Sequence, residues 1–291
     1  MKEFCFLIDT SFDFTFDLGP DVFVLPPEII KTMNAKEIIY QDTINISRDD
    51  VRKFLANGAD IKTSQTPYGI IQSKLEELLT KYKTIYCIVI TKDFSGMFNT
   101  YTKIANSFEK KYGKNRIFVI DSKAAIIDQN WILDIVRKGA EKKENYSSIK
   151  KSISNLNAKL CGFTIISDAT QLIKGGRLSG LKAILVKALS IKLIIRYKEG
   201  ALKFIDKTRD IYTAIDKGFN DAYNQLKIPK NKLDKVVIFS DLNEEDTNKL
   251  SNYVKNKLDS LYEEDIIVSK FPTIIIAHLG DSSFSVLFKI K

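Results

Sequence analysis

The chain contains a single histidine and only three cysteines in 291 residues. Zinc takes paired thiolate and imidazole ligands at short spacing, and His278 with the scattered Cys5, Cys87 and Cys161 offers none, so no metal site is expected. The cysteines are odd in number and each lies in or beside an apolar run, which fits buried free thiols better than a disulfide framework. No apolar run is long enough to span a bilayer; the best, Ala183 to Ile195, is broken by Lys187 and Lys192. The first residues, Met1 to Asp9, have too short an apolar region for a signal peptide and read as a strand, so a cytoplasmic protein is expected. No Gly-x-Gly-x-x-Gly or Gly-Lys-Ser/Thr loop follows any predicted strand, which argues against a nucleotide site of those types.

What is present is an ordinary globular composition, 44% hydrophobic and 28% charged, in a chain long enough for two domains. The net charge of +9 comes from 45 basic against 36 acidic residues. The lysines are spread among acids and no array of arginine and aromatic residues appears, so a solvated basic surface is expected and no nucleic acid. Such a surface also suits transient approach to an anionic membrane, where each nearby basic residue contributes about 1 kcal/mol.

Short apolar strands alternate with helical patterns through the first half. Phe4 to Ile8 ends in Asp9-Thr10-Ser11, Ile85 to Ile90 ends in Thr91-Lys92-Asp93-Phe94-Ser95-Gly96, and Ile117 to Ile120 ends in Asp121-Ser122. Between them, Ile71, Leu75, Leu78 and Leu79 share a helical face, as do Phe98, Tyr101, Ile104, Ala105 and Phe108, with Gly113 as C-cap. A third helix follows through Ile126, Ile127, Trp131, Leu133, Ile135 and Val136. This alternation predicts a parallel, doubly wound α/β domain, whose ligands gather beyond the carboxyl ends of the strands. The Asp93 to Gly96 loop opens onto a helix, so its amides favour an anion, although Asp93 or Ser95 as a simple helix cap explains the residues equally.

In the second half, strands are expected at 163–167, 202–205, 236–239, 266–268 and 284–288, and helices at 181–189, 213–226 and 244–261, the last burying Leu250, Tyr253, Val254, Leu258 and Leu261. The strand-forming run Pro272 to Ala277 breaks into a polar turn at His278. The polar stretch Glu141 to Asn157 is the expected boundary, giving domains 1–157 and 158–291.

One ordered set of motifs spans the chain: Asp9-Thr10-Ser11, Lys62-Thr63-Ser64-Gln65-Thr66-Pro67, Phe94-Ser95-Gly96, Asp121-Ser122, Gly175-Gly176-Arg177-Leu178-Ser179, Lys207-Thr208-Arg209 and His278-Leu279-Gly280. In this set the chain resembles the DegV family of bacterial fatty-acid-binding proteins. The resemblance implies a two-domain α/β fold, a parallel Rossmann-like sheet followed by an α/β domain with a mixed sheet, and a ligand tunnel between them. It implies a carrier and not an enzyme: a long-chain fatty acid such as palmitate is bound and its carboxyl group presented to a fatty acid kinase, which makes acyl phosphate for phospholipid synthesis. No cofactor is implied. The carboxyl contacts carry over to Thr63, Ser95, the Gly96 amide and His278. Asp9, Ser11 and Ser64 are supporting residues, and Arg177 and Arg209 match basic positions facing the kinase or the acyl phosphate.

The same residues have plainer readings. Thr63 and Ser64 suit capping of a helix that starts near Tyr68, with Pro67 in its first turn. Gly175-Gly176-Arg177 suits a tight turn, and Asp9 suits orienting loop amides without touching ligand. A Rossmann-like hydrolase or nucleotide-using enzyme with Ser95 and His278 in its site is the alternative function, although no clear orienting carboxylate accompanies that pair. The chain also departs from the family pattern. Met97-Phe98 follows Ser95-Gly96 where Thr-Tyr is usual, Asp281-Ser282 follows Gly280 where Pro-Gly is usual, and Leu193 follows Lys192 where Pro is usual. These bear on chain selectivity and kinase docking.

Overall fold

The structure, a computed structural model, describes residues 1–177, 191–228, 232–258, 261–280 and 282–291. The helix expected at 181–189, Leu178-Ser179 and Asp281 therefore lie outside the described residues. The chain forms two compact units, Met1–Leu156 with Pro272–Ile274, and Asn157–Phe271 with Ile275–Lys291.

The first unit contains the expected parallel sheet. β1 (Lys2–Ile8), β2 (Val22–Val24), β6 (Tyr82–Val89) and β7 (Ile117–Asp121) lie in the order β2-β1-β6-β7, all pairs parallel. Register places Phe6 beside Tyr86 and Tyr86 beside Phe118, so their rings stack across the strands with centroids 5.9 and 5.4 Å apart. Tyr146 extends the ladder, 4.8 Å from Phe118, and its hydroxyl donates to Val119 O at 2.6 Å. Such cross-strand aromatic pairs pin a register, because a slip of one residue would turn every ring to the other face.

α2 (Tyr68–Lys81) buries the expected Ile71, Leu75, Leu78 and Leu79, and α3 (Met97–Tyr112) buries Tyr101, Ile104, Ala105 and Phe108, whereas Phe98, expected with them, is half-buried. Gly113 ends α3 with φ at +88°, in the left-handed region that only glycine enters freely. α4 (Ile127–Glu141) follows β7 as expected.

Two features of this unit differ from the sequence reading. The polar stretch expected to hold the domain boundary, in which the sequence reading marked no helix, folds largely as α5 (Tyr146–Ala158), burying Ile149, Ile153 and Leu156 at helical spacing. Residues 28 to 64 add a small antiparallel sheet, order β4-β3-β5, from β3 (Glu28–Met33), β4 (Lys36–Gln41) and β5 (Asp60–Ser64), with α1 (Arg48–Ala56) between β4 and β5. The β3–β4 hairpin turns on Asn34 and Ala35, with φ of +51° and +58°, the two left-handed residues of a type I′ turn. Alanine is strained there and glycine is not, so Ala35→Gly should raise stability by about 0.5–1 kcal/mol, read as a higher urea midpoint at unchanged slope. A lower midpoint would contradict that turn geometry.

The second unit is built on a six-stranded mixed sheet in the order β10-β9-β8-β13-β11-β12. Its strands are β8 (Leu160–Ile166), β9 (Lys192–Lys198), β10 (Ala201–Thr208), β11 (Leu233–Ser240), β12 (Ile267–Ser269) and β13 (Phe284–Ile290). Only β11 and β12 pair in parallel. The described helices are α6 (Thr170–Lys174), α7 (Ile211–Leu226), α8 (Glu244–Leu258) and α9 (Thr273–Leu279), the first two residues of α9 belonging to the first unit. Phe163, Phe219 and Phe288 form the aromatic centre of the core. α8 buries Leu250, Val254 and Leu258, whereas Leu261, expected with them, is 39% exposed.

The run ending in His278 is not a strand. It is α9, and Thr273, Ile274, Ile276, Ala277 and Leu279 are buried. Tertiary packing outranks the β-branched preference of this segment. All three cysteines are buried and free; burial pushes the Cys5 and Cys161 thiols up to about 12, which makes them inert. Among the described residues no helix is long and apolar enough to cross a membrane.

Candidate functional site

The polar loops at the carboxyl ends of β1 and β6 are tied together by Asp9. Its carboxylate is 2% exposed and accepts from Ser11 N at 2.7 Å and from Ile90 N at 3.1 Å. The Ser11 hydroxyl lies between Asp9 and Gln129 Oε1. Burial raises the Asp9 pKa, and the Ser11 and Ile90 donors oppose that rise. Asp9 and Ser11 therefore orient the loop amides.

Thr63 sits on β5 opposite Ile29 and is half-buried, as are Ser64 and Gln65. The capping reading of this segment fails: α2 has Pro67 at its N-cap and no side-chain capping bond. Instead the Ser64 hydroxyl donates to Gln65 O at 3.3 Å and the Thr66 hydroxyl to Pro26 O at 2.8 Å. Ser95 is half-buried at the start of α3, where its Oγ accepts from Met97 N at 3.3 Å. In that bond Ser95 is the acceptor, so its O–H proton is available for a second partner. Asp93 is exposed, and Gly96 is the N-cap residue, with no side-chain capping bond to the helix. A Cβ built on Gly96 would stand 3.9 Å from Gln65 Oε1, so the end of β5 and the start of α3 meet.

In the second unit, α6 leads into Gly175, Gly176 and Arg177. Gly176 has φ of +72°, and Arg177 donates to Gly175 O at 2.5 Å. The tight turn expected there is present, and it lies against His278: a Cβ on Gly175 would stand 3.2 Å from His278 Nδ1. Burial first, then the Arg177 charge, pushes the His278 pKa down to about 4. Arg209 is exposed between β10 and α7, next to the α7 cap Asp210. Within their own units, the structure thus joins the Thr63 segment to Ser95-Gly96 and joins Arg177 to His278.

The sequence reading missed Asp42, which follows β4 with no motif around it. It is fully buried, accepts from the Thr10 hydroxyl, and is also held by the Thr43 and Ile274 amides. Burial raises its pKa to about 6, with the Asp9 charge adding to the rise against those hydrogen bonds. Among the described residues no group of three or more His, Cys, Asp or Glu is placed to hold a metal.

Asp42 and His278 give stability slopes of opposite sign. Between about pH 4 and 6 the folded chain keeps a proton on Asp42 that the unfolded chain has released, so this contribution is lost as pH rises. Between about pH 6.5 and 4 the unfolded chain binds a proton on His278 that the folded chain refuses, so that contribution is lost as pH falls. Each is expected to be worth about 3 kcal/mol across its window. Relative to the parent, Asp42→Asn should gain stability as pH rises from 4 to 6 and His278→Asn should gain it as pH falls through the same range, read from urea midpoints. Variants with slopes identical to the parent would contradict the burial of both groups.

Comparison with known proteins places the chain. The DegV family model matches residues 7–291. This chain belongs to the DegV family. A DegV domain-containing protein of Ureaplasma parvum is 30% identical over 223 residues, covering 76% of this chain and all of that protein. One of Mycoplasma genitalium is 23% identical over 98% of this chain and 99% of its own length. Among solved structures, a stearic acid-binding protein of Eubacterium ventriosum superposes with a TM-score of 0.80 at 19% identity, over 100% of this chain and 99% of that one. A fatty-acid-binding DegV protein of Thermus thermophilus gives 0.80 at 18% identity, over 99% and 100%. The two-unit α/β architecture is therefore the DegV fold, in agreement with the resemblance.

Proposed function

We propose that this DegV protein carries a long-chain fatty acid and presents its carboxyl group to a fatty acid kinase for conversion to acyl phosphate. The observation that carries this reading is the meeting of the Thr63-Ser64-Gln65 end of β5 with Ser95-Gly96 at the start of α3. Fatty-acid-bound relatives of the same fold support it.

The physical argument divides the work between two ends of the ligand. Burial of an acyl chain at about 0.8 kcal/mol per methylene gives a gross driving force on the order of 10 kcal/mol, so affinity comes from the apolar tail. The carboxylate must exchange water for donors, because an unpartnered buried charge is too costly to keep. Hydroxyls of Thr63 and Ser95 and the Gly96 amide are neutral donors, and the start of a helix adds a favourable field for an anion. Neutral donors hold the head group without a salt bridge, leaving an oxygen able to attack a phosphoryl group.

Arg177 and His278 belong to the handover step in this account. A hydrolytic histidine needs a carboxylate that stabilises the imidazolium, whereas burial first and then the Arg177 guanidinium keep the His278 ring neutral. Arg209, exposed, is assigned to the kinase-facing surface. The carrier role is tested by titrating delipidated protein with a long-chain acid and with the alkane of equal length. Saturable binding of one acid per chain is expected; no binding of either would overturn the reading.

A further inference from the structure

We propose that the Gln65 side chain is a further contact to the carboxylate, one that sets the preference for a free acid over an ester; this rests on the carrier reading above. Gln65 lies two residues beyond Thr63, just past the end of β5. Its Oε1 is buried and has no hydrogen-bond partner among the described residues. That same atom is the nearest one to a Cβ built on Gly96, at 3.9 Å.

A buried amide oxygen without a partner costs about 1–3 kcal/mol, and folded proteins leave few such groups. The polar neighbours of Gln65 are committed elsewhere, Ser64 to Gln65 O and Thr66 to Pro26 O. Nor does Gln65 Oε1 cap α2, since it accepts no hydrogen bond among the described residues. The unpartnered Gln65 Oε1 therefore lies beside the start of α3 with no structural hydrogen bond that explains its burial.

A carboxamide has an acceptor and a donor end of nearly the same shape, and a half-turn about its last bond exchanges them. With the NH2 end toward Gly96, Gln65 offers a neutral donor to an anion placed before α3. A carboxylate has about four lone-pair sites and accepts from several donors at once. Thr63 and Ser95 supply two, and Gln65 supplies another. An ester has a weaker, uncharged acceptor at the same place and gains less from the amide.

The test uses delipidated full-length protein, hexadecanoic acid and its methyl ester, with thermal denaturation as a check on folding. Gln65→Met, which keeps length and removes the donor, should weaken the acid about tenfold and the ester less than about threefold. Gln65→Glu, the same shape with a negative charge, should weaken the acid further than Gln65→Met does. Unchanged acid binding in Gln65→Met, or equal losses for acid and ester, would overturn the role of Gln65 while leaving the carrier reading intact. A parent protein that binds neither ligand would overturn both.

Discussion

Thr63→Ala and Ser95→Ala should each weaken binding of a long-chain fatty acid about 10- to 100-fold, because a hydrogen bond to a charged acceptor is worth about 1.5–3 kcal/mol. The expected loss is confined to the head group. An alkane or ester of the same length, held by apolar burial, should change much less, and neither variant should shift the urea slope that reports exposed surface. Ser95→Ala also removes the acceptor for the Met97 amide, so Ser95→Cys is a useful companion that keeps size while weakening the donor. Both singles binding the acid as tightly as the parent would show that the hydroxyls do not meet the carboxylate.

Gly218→Ala should destabilise the second unit by about 2–3 kcal/mol, although alanine is the better helix former by about 1 kcal/mol. Gly218 is buried on α7, and a Cβ there would stand 2.4 Å from the Phe163 ring on β8. The ring cannot retreat, because Phe163 also packs on Phe219 and Phe288, with centroids 5.7 and 6.3 Å away. Overpacking of this kind forces backbone shifts in a close-packed core. The double variant Gly218→Ala with Phe163→Leu should recover part of the loss, since the two sites couple by direct contact. A higher denaturation midpoint for Gly218→Ala, as helix propensity alone predicts, would contradict the tight α7–β8 packing.

Long periodic elements were legible from residues alone. Ile71, Leu75, Leu78 and Leu79 mark one face of α2 with no help from tertiary structure, and all four are buried. The strands that end in Asp9-Thr10-Ser11 and Ser95-Gly96 were legible as well, because short apolar runs closed by polar loops have one reading in a parallel sheet. α5 was hidden by composition: Ile149, Ile153 and Leu156 keep helical spacing, but polar residues surround them.

The small β4-β3-β5 sheet was missed for a different reason. Its edge strand β4 is exposed almost throughout, Ile38 and Ile39 included, so neither alternation nor a continuous apolar run marks it. α9 was misread because four of its residues, Thr273 to Ile276, favour strands on intrinsic preference, and only their packing in the fold reveals the helix. Thr63, Ser95, Arg177 and His278 were singled out as candidates through motif order. Asp42 was not, since its buried environment is assembled from Thr10 and the distant Ile274 amide. Gln65 lies in the Thr63-Ser64-Gln65 motif, but its unpaired oxygen exists only once β5 and α3 have met.

The most direct measurement is mass spectrometry of small molecules released when protein purified without added lipid is denatured. The account predicts a long-chain fatty acid at close to one per chain, reduced in Thr63→Ala and Ser95→Ala. A protein that releases no fatty acid, and takes none up when it is offered, would contradict the carrier function.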